Sequence, residues 1–386
     1  MPPQNPVDGA TVDVSALGVK LRYPDASLAV PASRDRQIEA PGHVARLWYL
    51  VPIMPPATPE HFGDYELVER LGVGGMAETF VAIRRGPGGF QQRVCLKRIL
   101  PTFADDADFV EMFLREARMS ALLHHGHIAR VLDFGITDGA HYLTLELIEG
   151  TDLRAALRHL RRRGESLTPG LTSYLAHTLG AALDFAHTAD ENGVAAGIIH
   201  RDVSPSNVLL SNAGEIKLAD FGIAKATNLP GSIQSAALKG KIPYMAPEYA
   251  LGRHCSARSD LFSLGVLLYE CLAGYRPFDG GSDMQTLDRA RNGRHDLLHE
   301  AAPDTPAPLV DAIESLLATD PDERPPNAAA FIAMLTAVPP PPLAQRDLGE
   351  LVRAVENDDT IGSAPGLAST RAAPTLRPRK RLPSRK

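Results

Sequence analysis

The chain has 386 residues, enough for two or three compact units or one large two-lobed one at roughly 150 residues per unit. Apolar residues at 44% and charged residues at 22% exclude a disordered protein and allow a core of real size. A net charge of −6 argues against a general binder of nucleic acid or membrane surfaces. Cys95, Cys255 and Cys271 are odd in number and far apart, which excludes a disulfide framework and a cysteine zinc site. The opening MPPQNPVDGATVDVS lacks the basic and apolar regions of a secretion signal. The most apolar runs, at 47–54 and 261–274, fall short of the ~18 apolar residues of a membrane span. A soluble, cytoplasmic protein without a membrane span is expected.

Proline marks the boundaries: 10 of the 32 lie in residues 1–60 and 8 in residues 339–386. Residues 1–60 are therefore expected to form a disordered extension, and residues 338–386 a disordered, proline-rich and basic tail. Within that tail, 343–356 carries Leu348, Leu351, Val352 and Val355 at helical spacing. Met54 is itself a plausible start, and residues 1–53 are expected to be dispensable for folding. The folded body begins with YELVERLG, ETFVAIRR and QRVCLKRIL, which alternate as strands, with GPGG (86–89) as a turn between the last two. ADFVEMFLREARMSALLHH then has helical periodicity, and HYLTLELIE returns to strand. From about residue 152 the pattern is mainly helical, through DLRAALRHLRRR, GLTSYLAHTLGAALDFAHTA, SDLFSLGVLLYECLAG and LVDAIESLLATD. A small β-rich lobe followed by a larger helical lobe is the predicted architecture.

LGVGGMAETFVA (71–82) sets Gly72, Gly74 and Gly75 between two strands. Glycine without a Cβ lets backbone N–H groups approach phosphate oxygens, yet such a hairpin alone is more often a plain turn. It lacks GKS or GKT and no helix follows it directly, so neither P-loop nor dinucleotide chemistry fits. The ordered series downstream changes the weighting. Lys97 stands 25 residues after Gly72, Glu116 lies 19 further on, and HRDVSPSN supplies Asp202 and, five residues later, Asn207. Asp220 in ADFG follows Asp202 by 18, IPYMAPE ends at Glu248, and DPDERP carries Arg324. Singly, Lys97 is a strand lysine and Asp202 a turn residue; together the set is not a chance pattern.

Over about residues 65–337 the sequence resembles the eukaryotic-like serine/threonine protein kinases found in bacteria. The resemblance implies an α+β, two-lobed protein kinase fold, with an N-lobe at 65–147 and a C-lobe at 148–337. It implies a phosphotransferase that moves the γ-phosphoryl group of ATP to Ser/Thr hydroxyls of protein substrates, with self-association for autophosphorylation. Backbone of Gly72, Val73, Gly74, Gly75, Met76 and Ala77 would cover the phosphates. Lys97 would hold the α/β-phosphates and pair with Glu116. Asp220 and Asn207 would hold Mg²⁺ (or Mn²⁺), and Asp202 would accept the substrate hydroxyl proton. Thr79 would lie over the adenine, Leu145 would be the gatekeeper, and Ala82, Cys95 and Leu209 would be pocket lining or neighbouring core. The Glu146 carbonyl and the Ile148 N–H would meet the adenine edge, and Asp152 would lie near the ribose. Glu248 and Arg324 would form a buried ion pair.

The chain departs from the family pattern at Ala77, where a loop glycine is usual, and at Thr79, where a valine is usual. A larger departure is Ser204, where the family carries a lysine two residues after the base; Lys241 stands where it carries a threonine. A hydroxyl and an ammonium have exchanged segments, so Lys241 is expected to supply the missing charge and Ser204 to bond Asp202. Without that exchange, Ser204 would suit a pseudokinase-type nucleotide-binding scaffold. Arg201 and the loop hydroxyls of Thr227, Ser232 and Ser235 suggest a phosphate switch.

Overall fold

Alternating apolar residues build the first half of the fold as a curled sheet. In a computed structural model the chain is described over residues 60–74, 77–104, 106–191, 194–221 and 242–362. Strands β1 (Glu60–Phe62), β2 (Tyr65–Val73), β3 (Ala77–Arg85), β4 (Gln91–Ile99), β5 (Val131–Thr137) and β6 (Ala140–Glu146) form one antiparallel sheet in the order β1-β2-β3-β4-β6-β5. Their inward residues, among them Phe62, Tyr65, Leu67, Phe80 and Leu96, make a small separate core. Helix α1 (Pro101–Ala104) leads into α2 (Ala107–Ala121), whose first turn is capped by the Asp106 carboxylate accepting from the Asp108 and Phe109 amides. Phe113 and Ala117 seat α2 against Ile99, Leu143 and Leu145, and this packing aims Glu116 at the sheet.

Strand β7 (Gly150–Asp152) opens the larger lobe and passes into α3 (Leu153–Arg162). There follow α4 (Pro169–Thr188), a minimal hairpin of β8 (Asp190–Glu191) and β9 (Val194–Ala195), and the strands β10 (Val208–Ser211) and β11 (Ile216–Leu218). The latter two join β7 in a small sheet of order β11-β10-β7. Beyond residue 241 come α5 (Pro247–Ala250), α6 (Ala257–Ala273), α7 (Asp283–Arg291), α8 (Leu298–Ala301), α9 (Ala307–Leu316), α10 (Ala328–Met334) and α11 (Ala344–Gly362). Helix α6 is apolar all round because it runs through the middle of the lobe, packed on α4 and α9. Gly265 permits that approach, since a Cβ there would lie 2.7 Å from Leu316 Cβ.

The proline-rich tail expected from residue 338 is folded well past that point. Ala344, Leu348, Val352 and Val355 are buried along one face of α11, against α4, α3 and the small sheet. Proline density correctly signals the break before the helix but not the surface waiting beyond it. The extension expected over 1–60 lies outside the described residues except for Glu60, which belongs to β1. Among the described residues no helix is long and apolar enough to cross a membrane.

Glu248 and Arg324 meet as expected. Their two parallel contacts are 2.8 and 2.9 Å, and Glu248 also accepts from Ser259 Oγ at 2.7 Å. Arg324 further donates to three backbone carbonyls and lies over the Phe262 ring. Burial raises the carboxyl's pKa, but the hydrogen bonds from Arg324 and Ser259 outweigh it and hold Glu248 below its ordinary range. Arg324→Ala leaves a buried carboxylate unpaired and should cost about 3–5 kcal/mol in urea unfolding. Because the folded carboxyl is the stronger acid, its contribution is full above about pH 4.5 and fades as pH falls through the lowered value. The gap between wild type and variant should therefore narrow in acid, and a gap independent of pH would contradict this assignment.

Candidate active site

Two sides of a cleft can be followed from the residues upward. On the sheet side, β2 and β3 form the glycine-rich hairpin, with a register shift between Arg70 and Gly72 and with Gly72 opposite Thr79. The Gly74 amide donates to the Ala77 carbonyl at 2.7 Å, and Val73 at the tip is 55% exposed, as a flap over a ligand requires. Gly75 and Met76 lie outside the described residues. Thr79 is opposite Lys97 on β4, and Cys95 two residues back is opposite Leu145 on β6. Burial, with Asp220 nearby, pushes the Cys95 thiol up to about 12 against the opposing effect of Lys97. It is a neutral apolar side chain rather than a thiolate.

Lys97 Nζ lies 3.0 Å from Glu116 Oε1 on α2 and 3.1 Å from Asp220 Oδ1 after β11. Burial works against its charge, but Asp220 and then Glu116 outweigh that and hold the ammonium above its ordinary range. The sequence pairs Lys97 with Glu116; the ion pair with Asp220 brings the loop into the same cluster. Asp220 has φ 55° and a carboxylate 53% exposed, open to the cleft.

The loop before β10 is the other side. Asn207 Nδ2 donates to both the carbonyl and Oδ2 of Asp202 at 2.8 Å, closing a tight turn around a buried carboxylate. The Asp202 amide donates to His200 Nδ1 at 3.2 Å, so the imidazole proton sits on Nε2, which meets the Ala219 carbonyl at 3.1 Å. Sequence reasoning missed the residue that anchors this loop. Asp260, on α6 and 1% exposed, accepts from the amides of His200 and Arg201 at 2.7 and 2.8 Å, and its Oδ2 is 2.8 Å from His187 Nε2. Its partners are mostly backbone amides, which leave no side-chain signature; only an acid in the first turn of an otherwise apolar helix hinted at it.

Other expectations are changed or extended. Ser204 Oγ faces Ser206 Oγ at 3.1 Å instead of the expected Asp202 carboxylate. Lys241, Thr227, Ser232 and Ser235 lie outside the described residues, while Arg201 has a buried Nε with no hydrogen-bond partner among the described residues. Glu146 accepts through its carboxylate from Lys217 Nζ at 3.0 Å and from the Arg130 amide at 2.9 Å, so its side chain braces the connection between lobes. Ile148 is half-buried in that connection. Asp152 caps α3 by accepting from the Ala155 amide at 2.7 Å, and Leu209 is its cross-strand neighbour. His125 and His127 belong to a structural turn, with His125 stacked on Phe185.

The donor set fits a magnesium nucleotide. The Asp220 carboxylate and the Asn207 amide would offer hard oxygen ligands of the kind Mg²⁺ takes. Among the described residues no three His, Cys, Asp or Glu converge as a metal site.

Curled sheet, helical lobe and paired ammonium together are those of a two-lobed protein kinase fold. A protein kinase domain model matches residues 65–334. The chain is 38% identical over 283 residues to the tyrosine-protein kinase MasK of Myxococcus xanthus, over 73% of this chain and 43% of that protein. It is 33% identical over 327 residues to the serine/threonine-protein kinase PknA of Mycobacterium tuberculosis, over 82% and 72% respectively. The crystal structure of the PknI kinase domain of Mycobacterium tuberculosis superposes with a TM-score of 0.54 at 29% identity, covering 74% of this chain and 99% of that one. The chain belongs to the protein kinase family, and it spans less than half the length of MasK.

Lys97→Met should lower kcat/KM by at least ~100-fold, about 2.7 kcal/mol of transition-state stabilisation. Steady-state kinetics with saturating acceptor measure it, and near wild-type turnover would remove Lys97 from the nucleotide site.

Proposed function

We propose that the chain is an ATP- and Mg²⁺-dependent protein kinase that phosphorylates serine and threonine hydroxyls of protein substrates. The observation that carries this is the pairing of Lys97 with Glu116 and Asp220, beside a loop that presents Asp202 and Asn207. Phosphoryl transfer asks the protein mainly for positioning and charge neutralisation. Lys97 neutralises and orients the phosphates, and Glu116 keeps its ammonium aimed. The backbone of the Gly72–Ala77 hairpin lies over the phosphates and excludes water. Asp202 orients the acceptor hydroxyl and takes its proton on a carboxylate oxygen, held in place by Asn207. Asn207 and Asp220 would hold Mg²⁺, which would supply positive charge against the charge that develops on the phosphates. The Asp260 carboxylate fixes the backbone beneath Asp202, so the base does not have to reorganise.

The pseudokinase reading rests on Ser204, where the usual lysine is missing; the full set of Lys97, Glu116, Asp202, Asn207 and Asp220 weighs against it. The likeness to MasK raises tyrosine as the acceptor instead; the HRDVSPSN loop with Pro205, followed by IPYMAPE, favours serine and threonine. Incubation with Mg²⁺, γ-labelled ATP and a generic protein substrate, followed by phosphoamino-acid analysis, separates the readings. Label is expected on Ser/Thr, and in the autophosphorylated chain on Thr227, Ser232 or Ser235, where a phosphate would recruit Arg201. Asp202→Asn should abolish transfer and retain nucleotide binding. Binding without transfer in the wild type would establish a scaffold, and label on tyrosine would overturn the acceptor assignment.

Lys241 is proposed to supply the charge that Ser204 lacks, reaching the transferring phosphate on its flexible stem. Lys241→Ala should lower kcat by the equivalent of about 2–4 kcal/mol, as loss of one transition-state donor does. Ser204→Lys combined with Lys241→Thr should recover much of that loss. Full activity in Lys241→Ala would refute the exchange.

A further inference from the structure

The kinase family match ends at residue 334, yet α11 follows it as a helix with one face buried in the lobe, at Ala344, Leu348, Val352 and Val355. Its position is specific. Arg353 Nη1 donates to the Asn212 carbonyl at 2.7 Å, and Gln345 Nε2 donates to the Ala213 carbonyl at 3.2 Å. These carbonyls belong to the β10–β11 turn, where short strands leave backbone acceptors without ladder partners. Contact there is backbone against backbone. A Cβ on Gly214 (φ +78°) would lie 1.7 Å from the Gln345 carbonyl oxygen, and one on Gly349 would lie 2.8 Å from the Asn212 carbonyl oxygen.

The same turn is tied to the connection between lobes. The Asn212 amide donates to the Glu149 carbonyl at 2.8 Å, and β10 pairs with β7 through Leu209–Asp152, Leu210–Thr151 and Ser211–Gly150. On the far side of Asp152, α3 is held to the same helix, with His159 Nδ1 2.9 Å from Asp358 Oδ2. Helix α11 thus grips the ribbon on one flank and α3 on the other, and Asp152 and Leu209 lie between the two grips.

We propose that α11 is a positioning element of the nucleotide pocket, with Arg353 as the residue that fixes the β10–β11 turn and so keeps Asp152 and Leu209 in place. The inference rests on the assignment of those two residues to the nucleotide. Arg353 is bound to the β10–β11 turn and not to Lys97, Asp202 or Asp220, so its effect falls on ground-state nucleotide binding and not on the chemical step.

The test uses the full chain with Arg353→Ala, Arg353→Lys and Gly349→Ala. Loss of one hydrogen bond to a turn carbonyl should weaken Mg·ATP binding roughly 3–10-fold, read as Kd by titration and as KM, with kcat within about twofold of wild type. Amide hydrogen exchange at Gly150–Asp152 and Val208–Ser211 should quicken in Arg353→Ala, and Arg353→Lys should restore part of the affinity. Gly349→Ala, which wedges the helix off the turn, should act in the same direction; should it fail to fold, the exposed Arg353 position still decides. Faster exchange or a lower Tm with unchanged nucleotide Kd would make α11 a mere structural prop and overturn the inference, as would a loss confined to kcat. The wild-type titration keeps the two readings apart, because a failure of the nucleotide site itself would show there, before any substitution.

Discussion

The ammonium of Lys97 sits between two carboxylates carried by different segments, Glu116 on the helix of the small lobe and Asp220 after the strands of the large one. Every other placement in the cleft is measured against that meeting. It fixes how far α2 stands from the sheet, because Phe113 and Ala117 on the same helix must pack while Glu116 reaches inward. A buried charge with a single partner would be a poor choice, since desolvation disfavours it; two partners reverse the balance. The arrangement is therefore cooperative, and the loss of either carboxylate leaves an ammonium that the interior does not welcome.

Asp260 plays the corresponding part beneath the reactive loop. Arg201 and Asp220 both have φ above +50°, a region costly for side-chain-bearing residues, and neither would keep that conformation unaided. The two amide hydrogen bonds into Asp260 hold the first of these, and the tilted ring contact of His200 with Phe221, centroids 4.4 Å apart, steadies the segment that carries the second. Backbone strain here is concentrated at the candidate site and balanced by a carboxylate buried among apolar residues of α6.

The sequence made the chemistry legible and left the scaffolding obscure. Lys97, Glu116, Asp202, Asn207 and Asp220 announce themselves because their side chains meet one another, Lys97 with Glu116 and Asp220 and Asn207 with Asp202, so spacing along the chain records the geometry. Asp260 and Arg353 bind carbonyls and amides that every residue possesses, and nothing in the sequence distinguishes the chosen ones. Strand β5 was obscured by Asp133 and Gly135, which break its alternation although Leu132, Phe134 and Ile136 keep the period. Ser204 was legible as a departure but not in its partner, which depends on where a neighbouring hydroxyl falls. Helix α11 showed its period, yet the four prolines before it gave no hint of the nonlocal surface that would bury Leu348 and Val352.

The sequence distance bridged by that last helix bears on how the molecule is made. Arg353 meets Asn212 across 141 residues, and Asn212 meets Glu356 across 144. A chain synthesised from its N-terminus has its small sheet, α3 and α4 in hand long before residue 344 is added. Until then the strip that α11 covers is open to water and to neighbouring chains. Contacts of such separation close late, because the entropy of a long loop must be overcome before they contribute. Maturation of the larger lobe is thus coupled to completion of synthesis past residue 334, where the family model ends.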